Sequence, residues 1–167
     1  ELSSGFRAAI PVWIDGKKEL NETCAFYASF KKGENACLKI TASNFYSVYI
    51  NGELLSFGPA RAAHGYFRVD ELPVKADKED NSVFIIVAGY RADSYWALNQ
   101  DAFLQAELTV DGELALYTGR DFTVRRYDER VRKVCRFSFQ RTFTESYRFG
   151  YNPRRDYCEG FSGETPL

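Results

Sequence analysis

The sequence predicts an all-β domain, a two-sheet antiparallel β-sandwich of the jelly-roll kind. Three observations carry that prediction. Short apolar stretches alternate with polar residues, and turn signals recur roughly every 8–12 residues. Two tight-turn dipeptides, Asn51-Gly52 and Asp111-Gly112, each sit between alternating stretches. No long segment repeats its apolar residues at helical spacing. The aromatic content, 14 Phe, 11 Tyr and 2 Trp among 167 residues, agrees, because such side chains fit pleated, half-buried surfaces. This length suffices for one domain with its own core.

The elements follow in order. CAFYASF, Cys24 to Phe30, reads as a strand, and ACLKITA, Ala36 to Ala42, follows the Gly-containing loop KKGEN. FYSVYI, Phe45 to Ile50, meets Asn51-Gly52, whose two positions suit a type I′ turn because both need φ > 0. A two-residue loop sets Ile50 opposite Glu53, Val48 opposite Leu55 and Tyr46 opposite Phe57, giving one apolar face. Gly58-Pro59 ends that hairpin, and ARAAHGYF, Ala60 to Phe67, carries the chain over the sandwich edge. DELPVKADKEDNS, Asp70 to Ser82, reads as a loop. SVFIIVAGY, Ser82 to Tyr90, is almost continuously apolar and predicts a central strand covered on both faces. Phe103 to Val110 and Glu113 to Gly119 flank the second turn, with Leu104, Ala106, Leu108 and Val110 on one face. Asp121 to Tyr127 and Lys133 to Phe143 complete roughly ten strands. Residues 1–149 are expected to form the sandwich, and 150–167 a linker or strap.

Composition excludes several classes of function. With 22 basic and 23 acidic residues the formal charge is −1, which gives no electrostatic basis for binding nucleic acid. No apolar run approaches the ~18 residues of a membrane-spanning helix. No signal peptide is visible, so a cytoplasmic location is expected; a trimmed N-terminus leaves secretion open. None of Cys24, Cys37, Cys135 and Cys158 is in Cys-x-x-Cys spacing. If KKGEN closes a hairpin, Cys37 lies opposite about Ser29 rather than Cys24, and four free thiols are expected.

Catalytic motifs are absent. His64 is the only histidine and has no nucleophile elbow beside it. GPARAAHG lacks the Lys-Ser/Thr ending of a phosphate loop. RRYDERVRKVCR, Arg125 to Arg136, is interrupted by Asp128 and Glu129 and reads as a solvated connection. Among 23 acidic residues the sequence singles out no pair for glycoside hydrolysis. No cofactor is implied. The strongest functional stretch is GYRADSYWALNQDAF, Gly89 to Phe103, with Tyr95 and Trp96 among Arg91, Asn99 and Asp101. A flat ring beside planar polar groups is how proteins hold sugars. The same two rings could instead plug the end of the sandwich or bury against another domain. Asp93, Asn99 and Asp101 also offer hard oxygen ligands for calcium, though not at EF-hand spacing. Arg61, His64 and Tyr66 are candidates for a rim or an inter-domain contact.

Three segments in order carry a resemblance: LKITASNFYSVYINGELLSFGPARAAHGYFRVDEL, FIIVAGYRADSYWALNQDAFLQAEL and VCRFSFQRTFTESY. Together they resemble the N-terminal β-sandwich region of bacterial α-L-rhamnosidases, the inverting enzymes of glycoside hydrolase family 78, over about Ala9 to Arg148. The hairpin with the later YF-x-VDEL also resembles galactose-binding-like accessory domains. In that family the catalytic acid and base lie on a separate (α/α)6 barrel, so the resemblance assigns no catalytic residue here. It implies a non-catalytic accessory domain that braces the barrel and contributes to recognition of carbohydrate, a rhamnoside by analogy. An independent carbohydrate-binding module and a purely structural sandwich remain the alternatives.

Overall fold

Both tight-turn dipeptides close hairpins in the computed structural model, which describes residues 5–15, 18–148 and 157–167. Asn51 and Gly52 have φ of 52° and 85°, and Asp111 and Gly112 have φ of 50° and 85°, the left-handed pair that a type I′ turn demands. The first turn joins β3 (Phe45–Ile50) to β4 (Glu53–Gly58), and the second joins β7 (Leu104–Val110) to β8 (Glu113–Tyr117).

Around these hairpins the described residues form two antiparallel sheets, a β-sandwich. With β1 (Glu22–Lys31), β2 (Ala36–Ala42), β5 (Asp70–Val74), β6 (Asp80–Gly89) and β9 (Thr123–Arg126), the order is β4-β3-β6-β1-β9 against β5-β2-β7-β8. Phe26, Val48 and Ile85 from the first sheet meet Leu38, Ile40, Leu104 and Leu108 from the second in one buried cluster. β6 is central, as its apolar run predicts, and pairs along its whole length with β1. Its outer face is covered too: Phe84 packs with Ala25 and Tyr127, and Tyr157 and Phe161 lie over them. The Tyr157 ring stacks on Tyr49 at 4.6 Å, and the backbones of Val124 and Glu164 exchange hydrogen bonds of 2.8 Å. Of the expected strap, residues 150–156 lie outside the described residues.

Four expectations need correction. The first hairpin contains a β-bulge: Tyr49 pairs with Leu54 but Val48 pairs with Ser56, which leaves Leu55 as the extra residue. A one-residue slip reverses every later side chain. Phe57 therefore sits opposite Ser47 on the outer face, and Gly58 comes opposite Tyr46. A side chain at Gly58 would collide with the Tyr46 hydroxyl, which donates to the Asp70 carboxylate there. Second, β5 is a strand where a loop was expected. Pro73 is compatible because β5 is an edge strand, where a missing N–H leaves no ladder bond unmade. Third, 133–143 is not a strand. Arg136 Nη2 donates to the carbonyls of Asp93, Phe139 and Arg141 at 2.7, 2.6 and 2.7 Å, so a guanidinium satisfies groups that a ladder would otherwise use. Only an isolated bridge, Arg136 to Phe143, remains. Fourth, β1 and β2 are not a hairpin; they lie in opposite sheets, so the offset between Cys24 and Cys37 has a different origin.

The N-terminal segment is tied down by a buried carboxylate. Glu107 is 1% exposed, and its oxygens accept from the backbone N–H groups of Arg7 at 2.8 Å, Ala8 at 3.1 Å and Ala9 at 3.4 Å. Replacing Glu107 by Ala leaves these donors without their charged acceptor. The expected loss is about 1.5–3 kcal/mol or more, the range for hydrogen bonds to a charged group, and urea unfolding measures it. A change below half a kilocalorie would show that the segment is held by other means.

All four thiols are free, Cys24 buried, Cys37 half-buried, and Cys135 and Cys158 exposed. Burial, reinforced by the Glu22 carboxylate, pushes the Cys24 thiol far above its ordinary range, and burial also raises Cys37. A thiol reagent reacts as the thiolate. In native protein Cys135 and Cys158 should label first, Cys37 more slowly, and Cys24 only after unfolding; a total of four without reductant is expected. Early labelling at Cys24 would contradict this burial.

Candidate functional site

The site is built at one end of the five-stranded sheet. β3 begins there at Phe45, β4 ends there at Gly58, and β6 ends there at Gly89. The loops that leave β4 and β6 therefore rise side by side. Between them lies a groove of about 270 Å³, lined by residues 59–68 from one loop, by 94–98 and Gln100 from the other, and by Phe45.

The β6–β7 loop is stiffened by short-range polar contacts. The Ser94 hydroxyl accepts from the Ala97 N–H at 3.0 Å, and the Asp93 carboxylate accepts from the Asn99 N–H at 2.8 Å. Ala97 is buried beside Ala88 and Tyr90 and anchors the loop to the sheet. Gln100 Nε2 donates to the Ser43 carbonyl at 2.6 Å, and the Tyr95 N–H donates to the Gln140 carbonyl at 3.0 Å. These ties leave the two rings outside: Tyr95 is 76% exposed and Trp96 52%. A ring plugging the sandwich would be buried, so the structure rules out the plug for this chain.

Aromatic surface continues across the sheet. Trp96 meets Phe45 edge to face at 6.0 Å, and Phe45 stacks on Phe57 at 5.4 Å and 20°. Phe57 is 64% exposed. The Arg61 guanidinium lies over Trp96, 5.3 Å from the ring centre, and its Nη2 donates to the Tyr95 carbonyl at 3.4 Å. His64 and Tyr66 stand on the opposite wall, both exposed. The arrangement offers a flat apolar face with a cation and an imidazole at its margin.

Five of the eight residues singled out from sequence thus come together: Arg61, His64, Tyr66, Tyr95 and Trp96. Arg91, Asn99 and Asp101 do not join them. Arg91 turns inward at φ 47°, with its guanidinium 3.6 Å from the Glu22 carboxylate and 3.9 Å from Asp101. Asp101 is held by Lys18 at 2.7 Å, and the ammonium that hydrogen-bonds it keeps its carboxyl below the usual range. Asn99 is exposed and serves the loop through its backbone N–H. Sequence reasoning missed Phe45 and Phe57. No signal marked the bulge at Leu55 that turns Phe57 outward.

No protein-family model matches the chain, and no curated protein matches it. Among solved structures, a GH78 family rhamnosidase of Bacillus sp. GL1 is similar with a TM-score of 0.84 at 21% identity, over 98% of this chain and 18% of that one. The α-L-rhamnosidase of Dictyoglumus thermophilum gives 0.59 at 18% identity, over 96% and 20%. The apo lectin of Pleurotus ostreatus gives 0.51 at 14% identity, over 93% and 45%. The chain thus spans about a fifth of the rhamnosidase chains it matches. The resemblance carried by the three sequence segments is met at the level of the fold.

Exposure of Trp96 sets an energetic expectation. Truncating a buried Phe or Trp to Ala costs about 3–5 kcal/mol. Trp96→Ala removes an edge contact and a cation–π contact at a half-exposed position, so the loss should stay below about 2 kcal/mol. Denaturant unfolding of the variant measures it, and a loss in the buried range would return Trp96 to the core.

Proposed function

We propose that the chain is a non-catalytic accessory domain of an α-L-rhamnosidase-like glycoside hydrolase. In this reading residues 1–149 supply the sandwich and 150–167 are a strap that packs back on it through Tyr157, Phe161 and Glu164 and precedes a catalytic (α/α)6-barrel domain. The observation that carries this reading is the exposed wall of Tyr95, Trp96 and Phe57 with Arg61 over the indole. So much apolar ring surface at one end of a sandwich is costly to leave in water unless something covers it. The fold shared with rhamnosidase chains, over nearly all of this chain and a fifth of theirs, supports a neighbouring catalytic domain. A sugar ring fits the wall by laying its apolar C–H face on the indole, with its hydroxyls toward Arg61 and His64. Rhamnose, with a methyl group where most hexoses carry a hydroxymethyl group, adds apolar contact.

An independent carbohydrate-binding module is the second reading. It is favoured by the exposure of Tyr95 and Trp96 in this chain alone and by the fold shared with a lectin.

Trp96 reports on both readings. Of the two tryptophans, Trp13 is 7% exposed, so quenching of indole fluorescence senses Trp96. A groove open on one side gives little affinity for a small ligand, so free rhamnose should quench only in the millimolar range or above. Saturable quenching by a rhamnose-terminated oligosaccharide, lost in Trp96→Ala and weakened in Arg61→Ala, supports a binding module. Shielding of Trp96 from acrylamide only when the chain is joined to a catalytic domain supports a brace. If Trp96 is neither quenched by sugar nor shielded in the longer chain, both readings fall.

A further inference from the structure

We propose that Arg130 is a preorganised receptor for a carboxylate, seated in a polar pocket of about 340 Å³ beside the edge strand β9. The inference stands apart from the aromatic groove and does not depend on it.

Arg130 is 7% exposed. A buried guanidinium normally satisfies all its donors. Here Nη1 donates to the Thr23 hydroxyl at 3.0 Å, but among the described residues neither Nε nor Nη2 has a hydrogen-bond acceptor. Nε–H and Nη2–H are not two arbitrary donors. They project in parallel from one edge of the guanidinium, the edge that pairs bidentately with the two oxygens of a carboxylate. The Thr23 bond fixes one end of the group, and the Tyr90 ring lies under it at 5.5 Å. The plane is therefore held by contacts that leave the buried fork without a hydrogen-bond acceptor among the described residues.

The surroundings favour an anion. Arg126, Arg132, Lys133 and Arg148 line the pocket with Arg130, against Glu19, Glu22 and Asp128. Two of those acids are already engaged: Glu22 accepts from Arg126 at 3.0 Å, and Glu19 pairs with Arg132 at 3.1 Å. The nearest carboxylate is that of Glu145, 3.8 Å from Nη2, 61% exposed and already accepting from the Tyr147 hydroxyl at 3.2 Å. Its distance from Nη2 is too long for a hydrogen bond, and Glu145 is the internal competitor that any test must separate.

The carboxylate can belong to a uronic acid or to an Asp or Glu of an adjoining polypeptide. Both present the same planar pair of oxygens, and two probes distinguish them.

The experiment follows the side-chain Nε–H resonance of Arg130 by NMR in protein labelled with 15N-arginine, assigned by its loss in Arg130→Lys. D-glucuronate and a blocked aspartate are titrated separately, with glucose as the neutral control. A saturable shift of the Arg130 signal with either carboxylate, and none with glucose, is expected. Tenfold or greater preference for glucuronate assigns the site to acidic sugar; equal or stronger response to blocked aspartate assigns it to a polypeptide carboxylate. Arg130→Lys keeps the charge but loses the fork, so affinity, followed by calorimetry, should fall at least tenfold. Thr23→Val, which frees Nη1 while leaving the fork chemistry intact, should weaken binding several-fold and covers the case in which Arg130→Lys fails to fold. The proposal is overturned if no carboxylate moves the resonance, if Arg130→Lys binds as tightly as the parent, or if Glu145→Gln shifts the resonance in ligand-free protein. The last result would mean that Glu145 already fills the fork.

Discussion

The carboxylate of Glu22 holds the arrangement together. It is 1% exposed at the start of β1, where an unpaired charge would be strongly disfavoured. Three elements supply its partners. Trp13 Nε1 from the N-terminal segment donates at 3.0 Å, Arg126 Nε at the end of β9 donates at 3.0 Å, and Arg91 Nη1 from the loop after β6 lies at 3.6 Å. Removing one partner of a buried ion pair costs about 3–5 kcal/mol, more than an ordinary surface contact by a wide margin. Arg91 in turn reaches Asp101 near the far end of its own loop, and Asp101 holds Lys18. The base of the 91–101 loop is thereby closed by charges, and its tip projects Tyr95 and Trp96. Arg91 and Asp101 matter to the site as a clasp beneath it.

The same sheet has to be buried twice. β6 carries Val83, Ile85 and Val87 toward the second sheet and Phe84 toward the other side. A strand with apolar residues on both faces needs a second cover, and here it comes from Tyr127, Tyr157 and Phe161 in place of a helix. Burial raises the phenol ionisations of Tyr127 and Tyr157 above their ordinary value. Their neutral forms are thus favoured by folding, and that share of stability is present below the ordinary tyrosine pKa and is lost as pH rises through the raised values. The residues that follow 156 are therefore part of the packing of this sandwich, a role that their irregular composition did not advertise.

What could be read from sequence was local. The Asn51-Gly52 and Asp111-Gly112 turns are encoded by the two residues that occupy them, and the doubly buried β6 by its own apolar run. What could not be read depends on partners distant in the chain. The bulge at Leu55 changes no composition, yet it sends Phe57 outward to build the wall with Phe45. Lys133 to Phe143 alternates like a strand, but Arg136 captures the carbonyls of Asp93, Phe139 and Arg141 before a ladder can form. The run from Arg125 to Arg136 reads as solvated charge, and part of it is: Arg126 and Asp128 are exposed, whereas Arg125 pairs with Glu129 four residues on and both are half-buried. Arg130, in the same run, is buried instead. Spacing cannot separate it from the exposed Arg126; only the position of Thr23 and Tyr90 does.

Tyr90 connects the two surfaces. Its buried ring meets Phe45 edge to face at 6.2 Å, and Arg130 lies over it at 5.5 Å. Phe45 is also the ring on which Trp96 and Phe57 rest. The aromatic wall and the guanidinium fork therefore share one rigid support at the end of β6. A close-packed ring cannot yield to one neighbour without disturbing the other, because interiors have no spare volume to absorb the shift. The flat hydrophobic face and the charged edge are consequently held in fixed relation by the core. A sandwich of this kind can present both to the same large partner without a flexible loop having to order first, and that spares the entropy such ordering would cost.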